Sequence, residues 1–80
     1  MKINSKIIQK FKDALYKEGL RFTEQRLFIL EDILSSKDHR DCDEIYNSLK
    51  KRKHKVSRAT IYRTLDVLID YDFIRKLDIG

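Results

Sequence analysis

The sequence predicts a mostly α-helical fold of four helices followed by one strand, and three observations carry that reading. The 80 residues contain no proline and only two glycines, so a turn-rich β architecture lacks its punctuation. Apolar residues recur at three- and four-residue spacings in four segments, and three of these open behind a residue able to cap a helix: Thr23, Asp41 and Ser57. A content of 41% hydrophobic and 39% charged residues suits a globule better than a disordered chain. Residues 1–80 are expected to form one domain. A chain of this size buries only about 60% of its unfolded surface, which leaves little room for an enclosed catalytic cavity.

The first helix is expected from about Ser5 to Glu18, with Ile7, Phe11 and Leu15 four apart on one face and Ala14 beside them. Gly19 ends it, as the residue least strained in the left-handed conformation that closes a helix. After Leu20-Arg21-Phe22, Thr23 caps the second helix and Glu24 sits against its positive end. Leu27, Leu30, Ile33 and Leu34 are its expected buried stripe, and it stops near Ser35-Ser36. Asp41, with Glu44 three residues on, forms an acidic capping box for the third helix, whose apolar face is Cys42, Ile45, Tyr46 and Leu49. That helix runs out into Lys50-Lys51-Arg52-Lys53-His54-Lys55, a stretch too charged to bury. Ser57 caps the fourth helix, about Arg58 to Tyr71. Ile61, Leu65 and Leu68 share its docking face, and Ala59, Arg63, Asp66 and Asp70 its free one. Residues 73–79 alternate enough to read as a strand, broken by Arg75. The returning strand of a hairpin has no residues beyond Gly80, so the chain is expected to be a fragment or a truncated product.

The longest uncharged apolar run is Leu27 to Leu30, so no segment can span a bilayer, and the first residues do not lead into a signal peptide's apolar region. A cytoplasmic location is expected. The single cysteine, Cys42, forms no internal disulfide and no thiolate cage, and is expected in the core. The net charge of +5 is unevenly spread: residues 50–63 carry seven Lys or Arg and no acid. Such a block suits a polyanionic partner, the plainer alternative being a solvated basic face. No carboxylate pair, Cys-His pair or glycine-rich phosphate loop suggests an enzyme.

The third and fourth helices, joined by a short loop, meet the needs of a helix-turn-helix reader of DNA. Such a reader wants small residues where its N-terminal turn approaches base edges, cationic or planar side chains one turn on, and an apolar back face. Ala59 and Thr60 are small, Arg63 can donate twice to guanine, and Tyr62 can meet a thymine methyl or a phosphate. The alternative for Tyr62 is a half-buried ring that stabilises the helix pair. Ser57, Arg58 and Lys51 complete the expected contact set, Lys51 as a sequence-indifferent phosphate contact.

These residues also carry a family resemblance. Gly19-Leu20-Arg21 with Thr23, Gln25-Arg26 and Ile29-Leu30, then His39 with Glu44-Ile45-Tyr46, then Ala59-Thr60-Ile61-Tyr62-Arg63-Thr64-Leu65, then Phe73-Ile74, resemble in order and spacing the N-terminal domain of the ferric uptake regulator family. The resemblance runs from about Phe11 to Ile79, and its most specific block is the one from Ala59. It implies a winged helix-turn-helix with a truncated β wing, acting as the DNA-binding domain of a bacterial repressor that responds to metal or peroxide. It further implies that Arg21 enters the minor groove of an A·T-rich palindromic operator, that Tyr62 and Arg63 enter the major groove, and that Arg26 lies near the backbone. A surface Arg with a snorkelling stem is the alternative for Arg21. In the family, the position of His39 often supplies one ligand to a regulatory Fe, Zn or Mn site shared with a C-terminal domain. One imidazole holds no divalent ion by itself, so no cofactor is expected in these 80 residues. Dimerisation in the family resides mainly in that C-terminal domain, so this chain is expected to be monomeric and a full-length parent a homodimer.

Two positions depart from the family pattern. Asp41-Cys42 stand where Ser or Thr followed by Ala is usual, and Asp72 stands where a Gly usually separates recognition helix and wing. Asp caps equally well and tolerates the left-handed conformation, so neither is expected to break the fold. A protein-binding winged helix and a free-standing degenerate reader are the competing functional readings.

Overall fold

The computed structural model describes residues 4–35 and 41–74. Four helices follow in chain order: α1 (Ser5–Lys17), α2 (Glu24–Ser35), α3 (Cys42–Lys51) and α4 (Arg58–Asp70). Their starts are fixed by the caps the sequence offers. Thr23 Oγ1 accepts the Arg26 amide at 3.2 Å, and Ser57 Oγ accepts that of Thr60 at 3.2 Å. Asp41 and Glu44 close the reciprocal capping box at 2.8 and 3.3 Å. The cap of α1 is Asn4, whose Oδ1 accepts the Ile7 amide at 2.9 Å, a role the sequence reading had not assigned.

Three helices end in the same device. The residue after each C-cap, Gly19, Lys53 or Asp72, adopts positive φ of 71°, 63° and 61° respectively. The following amide then reaches back to the carbonyl of a buried leucine: Leu20 to Leu15 at 2.8 Å, His54 to Leu49 at 2.9 Å, Phe73 to Leu68 at 2.8 Å. These are Schellman closures, which satisfy carbonyls left over at a helix end. Gly19 and Asp72 behave as expected from sequence. Lys53 does not: a long side chain occupies a conformation that favours glycine.

The core gathers Phe11, Leu15, Ile29, Leu30, Ile45, Leu49, Ile61 and Leu68, with Cys42, Val56, Leu65 and Val67 around them. Phe11 meets Phe22 and Phe73 edge-on, at centroid distances of 6.2 and 6.0 Å, so the α1–α2 connector and the segment after α4 pack on α1. The expected stripe on α2 needs correction. Of Leu27, Leu30, Ile33 and Leu34 only Leu30 is buried, the others being half-buried, while Ile29 and Asp32 are buried as well. Both α3 and α4 pack on α2, so its buried surface is wider than one stripe. Thr64 and Val67 join the docking face of α4. Thr64 is buried because its hydroxyl donates to the Thr60 carbonyl at 2.7 Å and leaves no unsatisfied donor.

Among the described residues there is no strand. Phe73 and Ile74, expected to open one, form a bend, and the rest of the expected strand lies outside the described residues, as does His39. No described helix is long and apolar enough to cross a membrane.

Candidate nucleic-acid interface

The free face of α4 is built from behind. Ile61, Thr64, Leu65 and Leu68 anchor it in the core, which turns Ala59, Tyr62, Arg63, Asp66 and Asp70 to solvent. Tyr62 is 59% exposed, more open than the half-buried ring of the alternative reading. Its hydroxyl still reaches back to the buried Cys42 sulfur and so ties α4 to α3. Burial pushes the Cys42 thiol above its ordinary range, although the hydrogen bond from Tyr62 pulls the other way. The neighbouring Cys42 raises the Tyr62 phenol in turn. Both groups are therefore protonated at neutral pH, and Cys42 has the buried position expected of it.

The basic block divides into engaged and free cations. Arg58 Nε donates to Asp43 Oδ1 at 3.0 Å, and its guanidinium lies over the Tyr46 ring at 4.1 Å, so this first residue of α4 folds onto α3. Arg52 Nη2 lies 3.9 Å from Asp32 Oδ1. Lys50, Lys51, Lys53, Lys55 and Arg63 have no ion-pair partner among the described residues. Ser57 and Thr60 are occupied with each other, hydroxyl to hydroxyl at 3.0 Å.

Two residues of α2 prop the turn that carries the lysines. Phe28 stacks on His54, with centroids 3.8 Å apart and planes 9° from parallel, and Gln25 Nε2 donates to the Lys55 carbonyl at 3.2 Å. Val56 is buried between them and α4 in the chain. The sequence reading left His54 unassigned; the stack gives it a structural role.

Arg21 lies on the α1–α2 connector, exposed, with its side chain free of hydrogen bonds among the described residues. Arg26 is half-buried and its Nη1 donates to the Arg21 carbonyl at 2.7 Å, so it fixes the backbone from which Arg21 projects. Sequence reasoning missed Asp32, a fully buried carboxylate that accepts from Ser48 Oγ at 2.7 Å and ties α2 to α3. An Asp amid the apolar residues of α2, about two turns from its start, was the available signal, since only a partner makes such burial tolerable.

Chemically, the arrangement offers a rigid helix with small, aromatic and cationic side chains outward, flanked by free lysines. Nothing in it resembles a metal centre: among the described residues no three His, Cys, Asp or Glu side chains converge.

Residues 17–80 match the sequence model of the ferric uptake regulator family. The peroxide-responsive repressors PerR of Staphylococcus epidermidis and Staphylococcus aureus are each 39% identical to the chain over 67 residues. The matched region is 84% of this chain and 45% of either relative, so the chain spans about half the length of these curated relatives. No solved structure gives a significant match.

Proposed function

The chain belongs to the ferric uptake regulator family, and on that premise we propose that it is the DNA-reading part of a bacterial transcriptional repressor. In this reading it is a winged helix-turn-helix that lays α4 in the major groove of an A·T-rich operator in the cytoplasm. The observation that carries the proposal is the outward row of Ala59, Tyr62 and Arg63 on a helix whose opposite face is locked in the core. Arg63 supplies a bidentate donor for a guanine edge, Tyr62 an aromatic edge for a thymine methyl, and Ala59 lets the helix approach closely. Arg21, aimed by Arg26, is the proposed minor-groove contact, favoured by the negative potential of narrow A·T tracts.

Arg58, Ser57 and Thr60 enter this reading as braces of the helix start, since each already holds an intramolecular partner. Control by metal or peroxide is proposed only for a protein that adds ligands to His39, with Fe, Zn or Mn as the candidates; the described residues do not form such a site. Paired half-sites would likewise be read by a homodimeric parent.

Fluorescence anisotropy with an A·T-rich family-type operator and a scrambled duplex tests the proposal across a salt series. Binding is expected to weaken with salt at a log-log slope of about −0.9 per phosphate contacted. Arg63→Ala should cost roughly 1–3 kcal/mol on the operator and relax base preference at one position. A salt slope near zero would refute the DNA reading and leave the protein-partner alternative.

A further inference from the structure

Cys42, the first residue of α3, joins the core to the outward face of α4. It is 6% exposed, and its Sγ lies 4.0 Å from the Arg58 carbonyl on the first turn of α4. Tyr62 stands four residues after Arg58, one turn along the same face of that helix, and its hydroxyl turns back onto the Cys42 sulfur. A thiol has one weak donor and one weak acceptor. Here the donor faces the Arg58 carbonyl and the acceptor faces the Tyr62 phenol, so both are engaged within the first turns of α4.

We infer that Cys42 is a positioning residue for DNA reading: it holds the Tyr62 hydroxyl against α3 and so presents the ring, and not the hydroxyl, to the duplex. This role rests on the DNA reading above. It also selects between the two contacts open to Tyr62, in favour of a thymine methyl over a phosphate.

The selection follows from proton count. A phenol has one proton to donate and a phosphate only accepts, so a hydroxyl committed to sulfur has none left for the backbone. The ring edge stays open and keeps its apolar contact. Tyr62 is otherwise loosely held, since more than half of its surface is exposed and packing alone leaves the ring free to turn. What it is tied to is fixed. Cys42 is locked in the core, and Arg58 beside it is held by Asp43 at 3.0 Å and by the Tyr46 ring at 4.1 Å. Setting one side chain before binding spares an ordering cost equivalent to about two- to tenfold in affinity. That gain falls on the operator, because only a duplex with a methyl in the right place uses the orientation. Alanine at position 42 would leave the phenol with no such partner.

Deoxyuridine lacks only the thymine methyl, so anisotropy titrations with the A·T-rich operator and with its deoxyuridine-substituted form read the contact directly. Wild type should bind the substituted operator several-fold more weakly. Tyr62→Phe, at an exposed position that leaves the core untouched, should weaken binding to the thymine operator by about two- to tenfold and shrink the thymine preference, with scrambled-duplex affinity and salt slope unchanged. Cys42→Ala should do the same, and the double variant should lose no more than either single one, because each breaks the same contact. Cys42→Ser, whose hydroxyl accepts in place of the sulfur, should retain the thymine preference. A Cys42→Ala chain with a lowered thermal midpoint but a wild-type thymine preference would make Cys42 structural only and overturn the positioning role. Equal weakening of operator and scrambled duplex by Tyr62→Phe would overturn it too, since the hydroxyl would then be a phosphate contact. A wild-type chain with no salt-dependent binding to either duplex would instead remove the DNA reading on which the role rests.

Discussion

Removing the hydroxyl of Ser48 should destabilise the fold far more than a serine near a helix surface normally does. Its Oγ donates at 2.7 Å to Asp32 Oδ1, on a side chain with no exposed surface, and so links α3 to α2 inside the core. A hydrogen bond to a charged group contributes about 1.5–3 kcal/mol, and Ser48→Ala also leaves the buried carboxylate less well solvated. Arg52 offers limited compensation, because its guanidinium is 3.9 Å away on a side chain that is 54% exposed. The expected loss is about 2 kcal/mol, which for a domain of this size lowers the melting midpoint by roughly 8–16 °C. Asp32→Ala should cost about as much. The two losses should not add, because each variant already breaks the same bond; urea or thermal denaturation of both single variants and the double variant measures the coupling, expected at about 1–2 kcal/mol. Additivity within about 0.3 kcal/mol would show that the pair does not hold α2 to α3.

The same geometry makes further predictions. Arg52, drawn to Asp32, should drop out of the DNA contacts: Arg52→Gln should leave the salt slope unchanged, whereas Lys51→Ala should reduce it by about 0.9 and weaken all sequences alike. Asp43→Asn should release Arg58 from α3, tightening binding to scrambled duplex, steepening the salt slope and narrowing the preference for the operator in anisotropy titrations; weaker binding to both duplexes would contradict the brace. The raised Cys42 thiol bears on alkaline stability. Its folded form holds the proton more tightly than the unfolded chain does, so its contribution is complete below the ordinary thiol range and is lost as pH rises through the folded value. The stability gap between wild type and Cys42→Ala should therefore be constant at neutral pH and narrow only at alkaline pH, and iodoacetamide should label native Cys42 slowly and the urea-unfolded chain fast.

Much of this architecture was legible because it is local. Caps at Thr23, Asp41 and Ser57, the stop at Gly19 and the tolerated left-handed Asp72 each depend on a few adjacent residues, and the structure has all of them. The faces of α1 and α3 follow a single period because each buries one side. The wider burial of α2 did not follow, since its width depends on two partner helices that periodicity does not see. The partner of Asp32 was hidden for the same reason, because Ser48 is 16 residues away. Lys53 was missed because the left-handed end it occupies is dictated by where Leu49 sits in the core and carries no glycine to announce it.

The site shows a sharper version of that distinction. Sequence composition counts seven cations between residues 50 and 63 as one basic block, as though all faced the same partner. The fold spends two of them internally: Asp32 on α2 draws Arg52, and Asp43 on α3 draws Arg58. Both are arginines, whose planar, forked donors suit a fixed pairing geometry, while the four lysines left free carry compact charges on flexible stems. A phosphate backbone, which varies little with sequence, asks for charge more than for shape, and lysine supplies it. Arg63 is the one arginine of the block without a partner among the described residues, and it is also the one that stands outward on α4, where the proposed reading needs a forked donor. On the proposed DNA reading, residue type and surroundings leave bracing to Arg52 and Arg58, backbone contact to the lysines and base reading to Arg63, so that replacing Arg63 by Lys should keep the salt slope and lose the base preference.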